Sequence, residues 1–333
     1  NQASGSYVNG MLRNAVRTKD TLLKKEKEFL PRMQYEYGFP PFVTKLLMQQ
    51  YGERELEEIA LSYERPPELF LRVNTLKNSA VELSQKLKAS GVRTEETYVP
   101  GTLRVLGGPN VFFTKEYKEG AFFVQDLSGT IAGYALGAKK GEKVIDLCAA
   151  PGGKSFGAAV LTENGDVTAC DVNTSKLELV KRSAKQLGFS RLRAFRRDGA
   201  LLKADEAGKY DRVICDVPCS GLGVVRRKPE ILTNLTQGHL DKLLPLQRDI
   251  LKTGLGYLKT GGTLLYSTCT LNRAENEEAV RAVLAQTPGV ALVPIALPFA
   301  LLREHPEQKE GFLRLSPVSD GCDGFFMAKL TKK

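Results

Sequence analysis

The chain has no tryptophan and only two histidines, His239 and His305, and none of its six cysteines forms a Cys-x-x-Cys pair. Structural zinc sites draw on clustered Cys and His, so this scarcity argues against a zinc-built fold, and no metal is expected. Six cysteines in 333 residues are also too few for a disulfide scaffold; reduced thiols in a cytoplasmic protein are the expectation. No apolar run approaches the ~18 residues that cross a bilayer, so no membrane partner is expected. No secretory-signal pattern, internal repeat or low-complexity stretch is visible. Acidic residues are the scarcer charge: 38 Asp and Glu face 48 Lys and Arg, a net charge of +10. That balance favours a polyanionic partner, and nucleic acid is the commonest one. With 42% hydrophobic residues the chain can build a real core, and its length suggests two or three domains.

The most informative stretch is Lys143-Val-Ile-Asp-Leu-Cys-Ala-Ala-Pro-Gly-Gly-Lys-Ser155. A short apolar run followed by small residues, proline and glycine reads as a buried strand, a tight turn and then a helix. Open α/β sheets bind nucleotide-like ligands at such turns, where glycine admits the ligand and the helix start offers free N–H groups. A P-loop requires glycine where Cys148 stands, and the loop has no Gly-x-Gly-x-x-Gly. The remaining ligand is S-adenosylmethionine, a nucleoside with an amino-acid tail and no phosphate.

Residues 1–65 read as helices punctuated by Pro40-Pro41, with Tyr7, Val8, Met11, Leu12 and Val16 on one face of the first, which reads as the tail of a larger helical unit. Residues 66–118 read as a small α+β module, with strands at 69–73, 97–99 and 103–106, a helix from Ser79 to Ser90, and basic residues that include Arg72. From 119 to 333 strands alternate with helices, which argues for a parallel sheet. Its expected strands lie at 144–147, 166–171, 192–195, 212–215 and 263–267, with closing strands at 291–295 and 325–330.

In such a sheet the ligand lies beyond the carboxyl ends of the strands. The first strand delivers the loop Cys148, Ala149, Ala150, Pro151, Gly152, Gly153 and Lys154. The second delivers Asp171, about 20 residues on, where an acid can accept ribose hydroxyls. The third delivers Asp198, placed for an adenine amine; the fourth, Asp216, Pro218 and Cys219; the fifth, Cys269. Two thiols near a methyl donor suggest carbon-5 methylation of a pyrimidine. A thiolate adding at carbon 6 turns carbon 5 into a nucleophile, and protonation or hydrogen bonding at ring nitrogen N3 by Asp216 would stabilise the adduct. Either thiol could be the nucleophile on these grounds. Cys170, Cys215 and Cys322 read as buried structural residues, and Cys148 as lending backbone to the loop.

The motifs at 146–154, Asp-Val-Pro-Cys at 216–219 and Ser-Thr-Cys-Thr at 267–270 together resemble the Sun-type RNA 5-methylcytosine methyltransferases. The similarity runs from about residue 68 to the end, including Arg72-Val73-Asn74 and Asp323-Gly324-Phe325-Phe326. Tyr7 to Asn14 resembles the last helix of a NusB-type domain, a fusion found in bacterial 16S ribosomal RNA enzymes of that family. The resemblance implies a Rossmann-like class I methyltransferase domain at 119–333, using S-adenosylmethionine held by Cys148–Lys154, Asp171, Asp198 and Asp216, beside an RNA-binding module at 66–118. It implies Cys269 as nucleophile and Cys219 as the thiol that assists product release. The implied substrate is an unstacked cytosine in RNA, small-subunit ribosomal RNA first, with transfer RNA or another ribosomal site as alternatives. A catalytically idle RNA-binding assembly factor is the alternative of another class. Arg72, Arg226, Arg227 and Lys228 are the candidate phosphate contacts, and the enzyme is expected to be a monomer. The segment after Arg226-Arg-Lys-Pro-Glu-Ile231 departs from the family in lacking a tryptophan.

Overall fold

The computed structural model describes residues 2–18 and 26–333. The chain divides into two compact units, residues 1–64 and 65–333. The first holds helices α1 (Gln2–Arg17), α2 (Phe29–Tyr35) and α3 (Pro41–Tyr63). Gly52, at φ 76° and ψ 171°, breaks α3 into two helical segments. On α1 the apolar stripe Tyr7, Val8, Met11, Leu12 and Val16 is exposed.

The second unit contains two sheets. The smaller is antiparallel, in the order β2-β3-β1-β4, from β1 (Phe70–Val73), β2 (Arg93–Glu96), β3 (Thr102–Gly107) and β4 (Phe122–Val124). Helix α4 (Ala80–Ala89) crosses between β1 and β2, started by a reciprocal capping box between Ser79 and Glu82. Two expectations are corrected here. The strand expected at 97–99 lies at 93–96, a polar edge strand whose Arg-Thr-Glu-Glu sequence carries no apolar alternation. A module boundary at 118 also fails, because β4 pairs with β1 through Leu71–Val124, Arg72–Phe123 and Val73–Phe122. Helix α5 (Lys115–Lys118) precedes β4, and α6 (Leu127–Leu136) follows it.

The larger sheet is Rossmann-like. Its strands are β5 (Val144–Asp146), β6 (Val167–Asp171), β7 (Leu192–Arg196), β8 (Tyr210–Asp216), β9 (Leu258–Thr268), β10 (Val290–Leu292), β11 (Phe312–Leu315) and β12 (Phe325–Lys332). The order is β10-β12-β9-β8-β5-β6-β7, with β11 also paired to β12. Strands β5 to β9 are mutually parallel, and β12 runs antiparallel against β9. The intervening helices are α7 (Gly153–Leu161), α8 (Thr174–Leu187), α9 (Glu230–Asn234), α10 (Gln237–Tyr257) and α11 (Glu277–Leu284).

Successive side chains of a strand point to opposite faces, and the core follows that period. Val144, Ala169, Ile214, Leu265 and Met327 pack on one face against Ile131 of α6, Phe156 of α7 and Val180 of α8. Ile145, Cys170, Val213, Leu264 and Phe326 pack on the other against Ile250 and Leu255 of α10 and Val280 of α11. Burying such an aliphatic side chain stabilises by about 1.5–3 kcal/mol. From β5 the chain proceeds to β6 and β7 on one side, whereas β8 and β9 lie on the other. The order therefore reverses between β5 and β8, and the crevice at that switch point is where the loops carrying Cys148, Asp216 and Cys219 emerge.

Candidate active site

The loop after β5 is built from backbone bonds. Leu147 N–H donates to the Ile214 carbonyl at 3.0 Å and Ala149 N–H to the Cys170 carbonyl at 2.8 Å, so the loop is strung between its two neighbouring strands. Gly152 caps α7 at φ 114°, and a Cβ there would sit 2.4 Å from the Phe156 ring, so only glycine fits. The first helical bond of α7 runs from Phe156 N–H to the Gly152 carbonyl, leaving the N–H groups of Gly153, Lys154 and Ser155 without helical acceptors. Asp171, ending β6, accepts from Ala150 N–H at 3.1 Å and from Asn173 N–H at 2.9 Å, which locks it to the loop. Asp198 is exposed after β7 and accepts from Ala200 N–H at 2.9 Å. At Gly199 an added Cβ would meet the Leu147 carbonyl at 2.9 Å, so the third strand's loop lies directly against the first's. An open helix start for an anionic tail and carboxylates after β6 and β7 for hydroxyls and an amine make a donor and acceptor set that fits S-adenosylmethionine.

Beneath the loop lies Asp146, fully buried, accepting from the Ser155 hydroxyl at 2.7 Å. Burial pushes its carboxyl up to about 7. Lys154 reaches back from α7 to donate to Asp216 at 2.7 Å, with its ammonium 4.9 Å from the centre of the Phe325 ring. Burial opposes that ammonium, but the attraction and hydrogen bond of Asp216 hold its pKa above the ordinary lysine value. The other oxygen of Asp216 accepts from the Ser267 hydroxyl at 2.7 Å. Both oxygens thus act as acceptors. Asp216, expected to protonate or hydrogen-bond ring nitrogen N3, is here the ion-pair partner of the Lys154 ammonium.

Cys219 and Cys269, 50 positions apart, meet with their sulfurs 3.4 Å apart, both half-buried. The hydrogen bond from Cys219 lowers the Cys269 pKa, and the positive charges of Lys154 and Lys228 act the same way, against burial and Asp216. Cys219 is pushed well above its ordinary value by that same bond and by burial. The contact and the charges around it therefore favour the proton on Cys219 over Cys269. Burial pushes the thiols of Cys148, Cys170, Cys215 and Cys322 up, and the last three are fully buried, as structural cysteines should be.

The expected phosphate contacts divide. Arg72 is 2% exposed, donates to the Pro100 carbonyl at 3.1 Å and sits 4.7 Å from the centre of the Tyr134 ring, so it presents no surface to a phosphate. Arg226 and Arg227 both donate to the buried Asp323, at 2.6 and 2.5 Å, and Arg227 also to Asp126 at 2.8 Å. Arg226 and Arg227 join their loop to the fold, because carboxylates distant in sequence claim their guanidinium groups. Lys228 is exposed and its charge reaches Cys269. Asp146, Ser267, Phe325 and Glu275 were missed as site residues. Asp146 could have been found as the acid ending the first parallel strand; the others carry no local signal.

A family profile described as 16S rRNA methyltransferase RsmB/F matches residues 133–331. The chain belongs to this family. It is an S-adenosylmethionine-dependent RNA methyltransferase. A ferredoxin-like domain profile of the same RsmF/B-like group matches residues 39–111. The chain is 33% identical to the "Probable ribosomal RNA small subunit methyltransferase B" of Bacillus subtilis, over 98% of this chain and 74% of that one. It is 31% identical to the "25S rRNA (cytosine-C(5))-methyltransferase nop2" of Schizosaccharomyces pombe, over 89% of this chain and 51% of that one. Among solved structures it resembles a methyltransferase homologue from Pyrococcus horikoshii with a TM-score of 0.79 and 29% identity, covering 92% of this chain and 100% of that one.

Proposed function

We propose that this family member methylates carbon 5 of a cytosine in small-subunit ribosomal RNA, through a covalent bond between Cys269 and carbon 6 of the base. The observation that carries the reading is the Cys219–Cys269 contact at 3.4 Å, which brings two thiols together beside the cofactor loop, Cys269 being the one whose pKa is lowered.

The Cys269 thiolate forms the S–C6 bond, and the displaced C5=C6 electron pair is delocalised through the ring toward N3. Lys154 Nζ is the group that can supply a proton or hydrogen bond at N3, while Asp216, an acceptor, suits the 4-amino group of the same base. The cofactor, held by residues 148–154 with Asp171 and Asp198, supplies an electrophilic methyl group for carbon 5. After transfer, the carbon-5 proton leaves to a base, its electron pair re-forms the C5=C6 bond, and the S–C6 bond breaks to return the Cys269 thiolate. Cys219, in contact with that sulfur, assists the release. The base must be out of its stack for a side-chain thiolate to reach carbon 6. Lys228 is the basic side chain of the loop that remains available to the RNA backbone.

Two cysteine variants test the roles. Cys269→Ala is expected to lose methylation while binding S-adenosylmethionine as the wild type does. Cys219→Ala is expected to accumulate a protein–RNA adduct that survives denaturing electrophoresis. An adduct in Cys269→Ala and none in Cys219→Ala would reverse the assignment. Bisulfite mapping of RNA from a strain that lacks the enzyme, with and without it restored, tests the substrate. Protection of a transfer RNA or large-subunit cytosine, with none in 16S RNA, would overturn the small-subunit reading.

A further inference from the structure

Glu275 lies in the short turn between β9 and α11 and is fully buried. Its first carboxylate oxygen accepts from Ser220 N–H at 2.8 Å and from the Gln247 side-chain amide at 3.0 Å. Its second accepts from the Ser220 hydroxyl at 2.5 Å and the Asn272 amide at 3.1 Å. The Ser220 and Thr270 hydroxyls lie 2.6 Å apart, and the Thr270 hydroxyl also lies 3.3 Å from the second carboxylate oxygen as a donor to it. Gln247 also donates to the Pro218 carbonyl at 2.9 Å, and the Tyr266 hydroxyl fixes the Glu275 carbonyl at 2.6 Å. Ser220 directly follows Cys219 and Thr270 directly follows Cys269. One carboxylate therefore gathers the residues next to both reactive sulfurs.

Among the described residues no lysine, arginine or histidine forms an ion pair with Glu275. A buried carboxylate satisfied only by neutral donors is costly to hold, and all but one of the donors to this one, the Gln247 amide, come from the segments that follow the two cysteines. It does not touch the crevice residues Asp171, Asp198 or Lys154. We propose that Glu275 is a positioning residue for the reaction, holding the two cysteine loops in contact and, as a fixed buried anion beside Cys219, reserving the shared proton for Cys219 and the nucleophilic charge for Cys269. The proposal rests on the reading of Cys269 as nucleophile. The electrostatics agree in direction, since the charge of Glu275 opposes ionisation of Cys219.

The test uses Glu275→Gln, which keeps the side chain's shape and removes its charge, with Glu275→Ala, Cys219→Ala and Cys269→Ala beside it. Three quantities are read on the full chain: methylation turnover, denaturant-resistant RNA adduct, and the ratio of Cys219 to Cys269 alkylation by iodoacetamide, measured by mass spectrometry. Thermal unfolding and S-adenosylmethionine binding report folding. For Glu275→Gln the expectation is turnover at least about tenfold lower with cofactor affinity within about twofold of wild type. The alkylation ratio is expected to move toward Cys219 by about tenfold, and adduct should accumulate although Cys219 is present. Wild-type turnover and ratio in Glu275→Gln would overturn the proposal. So would lost turnover with an unchanged ratio and no adduct, which is what a purely structural role predicts. If Cys269→Ala still methylates RNA, the nucleophile reading itself has failed, and that result is distinct from either outcome at Glu275.

Discussion

Lys154→Met isolates the ion pair at the centre of the site. The substitution keeps most of the aliphatic stem and removes the ammonium that donates to Asp216 at 2.7 Å. The side chains of Lys154 and Asp216 are 16% and 29% exposed, so the pair is mostly but not wholly out of water. Breaking one partner of a fully buried pair costs about 3–5 kcal/mol, chiefly because the other charge is stranded. Asp216 keeps its bond from Ser267 and some solvent, which places the expected loss at about 2–3 kcal/mol. Urea unfolding of Lys154→Met should read that loss. The Lys154→Met/Asp216→Asn double variant should recover most of it, since removing both charges strands neither. A second readout separates stability from chemistry. Lys154 is one of the positive charges that hold Cys269 below its ordinary pKa, so the pH midpoint of Cys269 alkylation should rise in Lys154→Met. Asp216 acts on Cys269 in the opposite direction, so the double variant should bring the midpoint part of the way back. A single variant as stable as wild type, or a double variant whose loss equals the sum of the singles, would refute the coupling. An unmoved alkylation midpoint would refute the link from Lys154 to the nucleophile.

Gly152→Ala forces a Cβ to within 2.4 Å of the Phe156 ring at a φ of 114°; calorimetry should show cofactor affinity lost, with about 1–3 kcal/mol of stability. Asp323→Asn strips the shared partner from Arg226 and Arg227 and should cost about 3 kcal/mol in urea unfolding, with methylation falling as the loop loosens. The His305 cluster sets a pH window. Burial disfavours the imidazolium, but its hydrogen bonds to Asp320 and Glu307 outweigh that and raise the His305 pKa, a contribution complete below the unfolded histidine value of about 6.5 and lost as pH rises through the folded one. Asp320 is held low and Glu307 is held at about 2 by hydrogen bonding to His305 against burial, so their contributions are complete above the unfolded carboxyl range and lost on acidification. Stability from the cluster should therefore peak between roughly pH 4.5 and 6.5, and His305→Gln should flatten that peak in unfolding curves taken across pH.

The parts of the fold written as short apolar runs with a break after them were legible. Residues 144–147, 212–215 and 263–267 are hydrophobic because both faces of a parallel sheet are covered, and the residues just past them had to be the site. The edge strand 93–96 was not legible, since an exposed edge needs no apolar alternation, and β11 was missed altogether. Helix α10 runs through Pro245, a residue that usually marks a helix end. The cofactor loop and both cysteines were found because each stands immediately after its strand. Who pairs with whom was invisible. Arg226 meets Asp323 across 97 positions and Ser220 meets Glu275 across 55, distances that only the packed sheet closes. Charge in a loop therefore suggested a phosphate contact where the fold had already supplied a carboxylate.

The internal use of those arginines bears on how tightly the enzyme should feel ionic strength. Each cation that neutralises an RNA phosphate releases a counterion, and the salt dependence of binding counts such events. Arg72 is sealed under Tyr134, Arg226 is paired with Asp323, and Arg227 is paired with both Asp323 and Asp126. Charges already sealed or paired add little to that count, although all three contribute to the net charge of +10. The charge of the sequence thus overstates the charge presented to RNA. Binding should weaken with added salt less steeply than the composition implies, and neutral contacts to an unstacked base should supply a correspondingly larger share of the affinity.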